Sequence, residues 1–259
     1  MNMAERIRIE HELSTGARPE GATTEQAAAI NVRKMFDSIA PRYDLLNHLL
    51  SMGLDRWWWN RTARSLRAVL ERPEASVLDL CCGTGDMTLA LMQYRPTSAG
   101  EAPVFAVDFS PEMLARGKEK FAGHNIVAIE ADALHLPLEN DSLDLITSAF
   151  GFRNLANYDE GLAELYRVLR SGGQIGILDC NQPEGIVGSL YNLYFKSVLP
   201  RVGGFISGDA NAYRYLPASV ERFPRPPRML EMIRAAGFRD AHWTGYTFGT
   251  AGLYRATKP

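Results

Sequence analysis

VLDLCCGTGDMT, running from Val77 to Thr88, decides the fold: a short, mostly apolar run, a cluster of small residues around Gly83, Thr84 and Gly85, then the onset of helical spacing. That order predicts a strand, a tight turn and a helix start. Gly83 and Gly85 carry no Cβ and take positive φ at little cost, so backbone there can approach a ligand that side chains would hold off. Two readings compete. The dinucleotide fingerprint needs glycine at its first, third and sixth positions, and counting from Gly83 the sixth is Thr88, so that fingerprint is incomplete. The other reading places an acid, Asp79, on the strand, followed by Cys81, Gly83 and Gly85 at alternate positions. A carboxylate at Asp79 would repel a phosphate held at the turn and suits a cationic ligand instead.

Working outward, strands and helices alternate, the signature of a mostly parallel sheet. The helix after the turn runs through Leu91, and Val104 to Asp108 is a second strand. Ser110, Pro111 and Glu112 open the next helix with a cap oxygen, a pre-set φ and an acid at the positive end of the dipole. Further strands are predicted over Ile126–Ala131, Leu143–Ala149 and Gln174–Asp179, with a helix from Tyr158 to Leu169 closed by Gly172 and Gly173. A helix from Arg228 to Ala236 then leads to two strand-like runs, Ala241–Thr247 and Gly252–Ala256, close enough to pair as an antiparallel hairpin.

The flanks lack this rhythm. Residues 1–26 read as a flexible tail, and 27–259 as a single domain. Within it, 27–70 form a helical cap broken at Pro41, and its last helix, Asp55 to Leu70, carries Trp57, Trp58 and Trp59 in a row. Three consecutive tryptophans point in different directions around a helix, so packing against the sheet accounts for some and one is left to reach a groove or a partner. Residues 185–223 are apolar, aromatic and interrupted by glycines, and are expected to form an inserted lid.

A chain of 259 residues with net charge −2 has no basic surplus for binding a nucleic-acid backbone, and no nucleic-acid partner is expected. Three cysteines, two of them adjacent, give neither CxxC pairs nor a disulfide framework, and no metal site is expected. The charged amino terminus is no secretory signal and no long uncharged run could cross a bilayer, so a cytoplasmic location is expected.

In an open α/β sheet, ligands bind beyond the carboxyl ends of the strands. The first strand ends in the glycine turn. The second ends in Asp108, a carboxylate able to accept from two ribose hydroxyls; the third ends in Asp132, an acceptor for an exocyclic amine, beside the backbone N–H of Ala133. Together these describe an adenosine site. At the fourth strand the sequence reads TSAFGFRN, without an Asn/Asp-Pro-Pro-aromatic run whose carbonyl would accept from an amine, so amine ligands lose ground.

The alternating glycine turn resembles the first motif of the class I S-adenosylmethionine-dependent methyltransferases, with Cys81 at the usual first glycine. FDSIAPRYDLLNHLLSMGLDRWW, VLDLCCGTGD, FAVDFSPEML, FGFRN and YRYLPASVERFP together resemble the menaquinone and ubiquinone biosynthesis C-methyltransferase family, over almost everything from Phe36 onward. The resemblance implies an α/β, Rossmann-like class I methyltransferase fold: a mostly parallel seven-stranded sheet with a C-terminal antiparallel hairpin and helices on both faces. It implies S-adenosylmethionine as cofactor, with Thr84, Asp108, Asp132 and Ala133 contacting it beside Asp79, Gly83 and Gly85 of the turn. The acceptor it implies is a polyprenylated quinol, demethylmenaquinol before a ubiquinone-branch benzoquinol. An O- or N-methyltransferase for another small molecule, and a non-catalytic adenosine-ligand-binding scaffold, remain open alternatives.

Methylating a ring carbon requires a ring hydroxyl to lose its proton, and a phenol of pKa near 10 is ionised to only about one part in a thousand at neutral pH. Arg153, at the mouth of the fourth strand, is the candidate cation for the phenolate or for orienting a water; a salt bridge to an acid such as Asp44 would equally account for it. Tyr43, Asp44 and His242 are the other polar candidates for this catalytic group. The apolar segment Ile186 to Phe205, with Lys196 and Arg201, would guide the tail, pack as a lid, or make peripheral contact with the inner membrane face. A homo-oligomer is also compatible with this reading.

Overall fold

β1 (Val77–Leu80) is buried at all four positions and lies mid-sheet, with β2 (Val104–Asp108) and β4 (Leu143–Ala149) parallel to it on either side. The computed structural model describes residues 16–51, 53–96, 102–183 and 210–259. The strand order is β3-β2-β1-β4-β5-β7-β6, completed by β3 (Ile126–Glu130), β5 (Leu169–Cys180), β6 (Arg239–Tyr246) and β7 (Ala251–Thr257). β1 to β5 run parallel, while β7 is antiparallel to both β5 and β6, the hairpin the sequence predicts. From β1 the chain builds the sheet outward through β2 and β3, then returns to the other side of β1 with β4. The carboxyl ends of β1 and β4 therefore flank the switch point where an α/β sheet opens a crevice.

A strand buried on both faces needs helices on both. One face carries α7 (Tyr158–Val168) and α9 (Pro226–Ala235), which bury Tyr158, Leu162, Leu165, Met229 and Ile233 with Phe223 and Tyr254. The other carries α3 (Leu54–Ser65), α4 (Arg67–Leu70) and α5 (Asp86–Met92), burying Trp58, Trp59, Leu66, Met87 and Leu91. α6 (Pro111–Phe121) is capped as expected, the Ser110 hydroxyl accepting from Met113 N. α1 (Glu25–Ile39) and α2 (Tyr43–Leu50), separated by a turn of 3₁₀ helix at Pro41, form the amino-terminal cap. Of the three tryptophans, Trp58 and Trp59 are buried and Trp57 is exposed.

The structure departs from the sequence expectations in three places. The helix expected over Asp55–Leu70 breaks at Leu66, whose side chain drops onto Gly176 of β5, where an added Cβ would lie 2.8 Å from Leu66 Cδ1. α7 ends at Val168 rather than at the glycines: Leu169 is already extended and begins β5, and Gly172 (φ +80) and Gly173 exchange backbone hydrogen bonds with Lys258 beyond β7. The end of the expected flexible tail is held in place, since Ala17 N donates to Leu155 O at 2.7 Å, an added Cβ at Gly16 would strike Ala156 O, and Thr24 caps α1. Of the expected lid, α8 (Ala210–Arg222) is a helix, with Pro217 inside it. Residues 184–209, which hold most of that lid with Ile186 to Phe205, Lys196 and Arg201, and residues 1–15 lie outside the described residues.

Candidate active site

The carboxyl ends of β1, β2 and β4 and the loop after β3 enclose a cleft roofed by Ala29, Phe36 and Tyr43 of the cap. Its lining is chiefly apolar (Phe36, Leu80, Val107, Phe109, Met113, Phe150), with Asp108 and Asp132 as the carboxylates. Two lining residues hold positive φ without being glycine: Cys81 (φ 54) at the end of β1 and Phe150 (φ 58) at the end of β4. Left-handed backbone at such residues costs on the order of 1–3 kcal/mol each and is characteristic of functional sites. Here the two turns touch, because an added Cβ at Gly151 would sit 2.3 Å from Cys81 Cβ.

Asp108 accepts from Gly83 N (2.8 Å) and Ser110 N (2.9 Å), so the glycine turn and the start of α6 fix its rotamer while it still lines the cleft. Burial pushes its pKa up to about 6, against these backbone hydrogen bonds. A carboxylate keeps lone pairs beyond those two, so it retains capacity for two further donors such as vicinal hydroxyls. Asp132 accepts from Leu134 N (3.0 Å), and Asp132 and Ala133 face the cleft beside Phe109 and Ala131. Gly83 (φ +55) lies under Tyr43, its absent Cβ 3.6 Å from Tyr43 Cε1. Burial raises the Tyr43 pKa to about 12, with Arg153 pulling the other way, so the phenol is neutral at physiological pH. Burial also holds the Cys81 thiol well above its ordinary range, which keeps it a poor nucleophile.

Other sequence candidates do not reach the cleft. Asp79 is fully buried, accepting from Thr88 Oγ1 (2.6 Å) and Thr147 Oγ1 (2.8 Å), and burial lifts its pKa to about 6. It braces β1 against α5 and β4. Gly85 (φ +89) is needed for packing: an added Cβ would lie 2.1 Å from Phe121 Cε1. The Thr84 hydroxyl donates to Asp44 Oδ1 at 2.5 Å, and Lys120 Nζ lies 2.7 Å from Asp44 Oδ2 and 2.8 Å from Asp86 Oδ1. Asp44 and Thr84 therefore lock the cap to α5 and α6, outside the cleft lining. His242 is exposed on β6, the edge strand farthest from β1 across β4, β5 and β7, with Nδ1 2.9 Å from Asp240 O. The alternation of β6 turns it to solvent.

Arg153 is neither free nor paired with Asp44. Its Nη1 meets Asp179 Oδ1 at 2.9 Å and donates to the Phe150 carbonyl, its backbone N–H donates to Asp179 Oδ2 (3.0 Å), and Nε lies 3.4 Å from Ser219 Oγ of α8. Asp179 lies near the carboxyl end of β5, where a strand-end carboxylate is a sequence signal like that of Asp108. Asn154, within the quoted FGFRN, also lines the cleft, and its Oδ1 accepts from Tyr215 Oη at 3.1 Å. Lys120 left no sequence signal, because its two carboxylate partners lie far apart in the chain. Among the described residues no cluster of His, Cys, Asp and Glu could hold a metal ion, and no helix is long and apolar enough to cross a membrane.

Residues 23–258 match the family model described as the ubiE/COQ5 methyltransferase family. The chain belongs to that family. It is 46% identical over 231 residues to the demethylmenaquinone methyltransferase of Deinococcus radiodurans, covering 88% of this chain and 92% of that one. It is 38% identical over 232 residues to the ubiquinone/menaquinone biosynthesis C-methyltransferase UbiE of Geotalea daltonii, covering 88% and 96%. Among solved structures it resembles an S-adenosylmethionine-dependent methyltransferase of Thermotoga maritima (TM-score 0.60, 17% identity, 88% and 100% covered). It also resembles the [4+2]-cyclase SpnF (TM-score 0.63, 18% identity, 94% and 99% covered). The structural likenesses show the class I methyltransferase fold, which a cyclase shares; membership of the ubiE/COQ5 family is what makes this chain a methyltransferase.

Proposed function

We propose that the chain transfers a methyl group from S-adenosylmethionine to a ring carbon of a polyprenylated quinol, demethylmenaquinol foremost. The observation that carries this reading is the largely apolar cleft at the switch point, edged by Asp108 and Asp132, in a chain whose family is one of quinone methyltransferases. When bound, the cofactor supplies an electrophilic methyl group on a cationic sulfur. Asp108 would take the ribose hydroxyls; Asp132 and the Ala133 N–H would read the adenine edge between Phe36, Phe109 and Met113. This cleft has the two carboxylates and the flat apolar walls that such a nucleoside needs.

The acceptor would lie over Phe150, Asn154 and Tyr43. Because Tyr43 is neutral, it serves as a hydrogen-bond donor to a quinol oxygen rather than as the base that takes its proton. Arg153 acts as a positioning residue, holding the Phe150 carbonyl and setting a positive potential behind Tyr43 that favours the phenolate. Anion and cation neutralise each other as the methyl group moves, so apolar walls do not oppose the step.

Purified protein supplied with labelled cofactor should methylate demethylmenaquinol at a ring carbon, identified by mass analysis and NMR of the product. Methyl appearing on oxygen or nitrogen would replace the reading with the small-molecule alternative. Cofactor binding without transfer to either quinol type would leave a scaffold.

A further inference from the structure

α3 turns Arg56, Trp57, Asn60, Arg61 and Arg64 to solvent along one stripe, and Arg67 continues it at the start of α4. The only acid of α3, Asp55, is buried and bound to His48. Among the described residues none of these four arginines forms a salt bridge. Trp57 is 46% exposed within this stripe, its ring 5.7 Å from Tyr246, with the Arg61 guanidinium 5.1 Å and 5.0 Å from the two ring centres. Tyr246 leads into the turn Thr247–Gly249, whose tip, Phe248, is 84% exposed in a left-handed conformation (φ 57, ψ 23). Among the described residues Phe248 is the most exposed large hydrophobic side chain, and its left-handed backbone carries strain.

Trp58 joins this turn to the cleft. Its Nε1 donates to Thr247 Oγ1 at 2.9 Å, and its ring lies 5.7 Å from that of Phe150, which lines the cleft. We propose that the exposed face of α3 and the Phe248 turn dock on an anionic bilayer, with Trp57 and Phe248 entering the headgroup layer and the arginines meeting lipid phosphates. Tryptophan and phenylalanine beside a basic stripe suit that interface, where apolar insertion and charge attraction add. Trp58 is buried, so this seam is a packed contact between the docking face and the cleft wall. The docking does not rest on the proposed quinol acceptor. The surface lies on α3, apart from the Ile186–Phe205 segment that the sequence suggests for membrane contact.

Co-sedimentation of the full-length protein with phosphatidylcholine vesicles containing phosphatidylglycerol tests the docking without any methyl transfer. The expected result is binding that weakens about tenfold in Phe248→Ser, and at least as much in the fourfold variant with Arg56, Arg61, Arg64 and Arg67 changed to Gln, with little binding to phosphatidylcholine alone. Thermal unfolding and methylation of a short-chain quinol should be unchanged in Phe248→Ser, which separates docking from folding and from the proposed activity. Equal binding by wild type and both variants would overturn the surface. So would a wild type that ignores anionic vesicles but retains single-stranded RNA on the same arginines.

Discussion

Arg153 and Asp179 form a buried ion pair at 2.9 Å, and the same guanidinium nitrogen donates to the carbonyl of Phe150 on the cleft wall. Burial tends to raise the Asp179 pKa and the Arg153 charge opposes that rise, so each charge depends on the other. Removing one partner leaves an unpaired charge in the interior, at a cost of about 3–5 kcal/mol. Asp179→Asn and Arg153→Leu should each lower the urea-unfolding free energy by that order. The double variant Arg153→Leu/Asp179→Leu should recover more than half of the loss yet fail to recover turnover. Recovery of turnover with stability would make the pair a structural element alone.

Asp108 is held by Gly83 N and Ser110 N while it lines the cleft. Asp108→Ala removes the proposed ribose acceptor and leaves two amides without their partner, so cofactor affinity should fall by about a hundredfold, some 3 kcal/mol. Calorimetry with S-adenosylhomocysteine measures this. An affinity within twofold of wild type would remove Asp108 from the site.

The pH dependence follows from the same burial. Asp79 and Asp108 both have folded pKa values of about 6 against an ordinary 3.8, so the folded chain holds their protons more tightly. Their contribution to stability is therefore full at low pH and declines as pH rises from about 4 to about 6, then levels off. Cofactor affinity should move the opposite way, because the ribose hydroxyls need Asp108 ionised: about tenfold weaker at pH 5 than at pH 7. Affinity that is flat across this range would show that the carboxylate does not titrate there.

Gly85 is expected to be a packing position. Gly85→Ala would place a Cβ 2.1 Å from Phe121 Cε1 at φ +89, and should cost several kcal/mol by denaturant unfolding. Adding Phe121→Leu should restore part of that loss by relieving the clash while leaving the backbone strain. If Gly85→Ala instead weakened cofactor binding with stability unchanged, the residue would belong to the ligand.

The alternation of strands and helices, the capped start at Ser110 and the hairpin before Thr257 were legible because each rests on local periodicity or on a nearby capping residue. Asp108, Asp132, Ala133 and Gly83 were legible as residues that face the cleft because strand ends follow a general rule of α/β sheets. The surroundings of Asp79 were not legible: Thr88 and Thr147 supply the hydrogen bonds that make its burial tolerable, and only the register of β1 with β4 brings Thr147 beside it. The contact between Thr84 and Asp44 was not legible for a similar reason, since Lys120 joins them from another helix. Arg153 has a binding partner, Asp179, that lies 26 residues away on the neighbouring strand. Long-range pairing of this kind leaves no local pattern to read.

The Lys120 cluster bears on how long a ligand stays. Asp44 belongs to α2 of the roof and Asp86 to α5 beneath the glycine turn, and the one ammonium group between them is 28% exposed. A clasp that solvent ions can reach weakens as ionic strength rises. Departure of the cofactor past the roof should therefore quicken with added salt, and Lys120→Met should make the rate both fast and salt-independent in stopped-flow measurements. Residence time in the cleft would then be set by a surface charge that never touches the ligand.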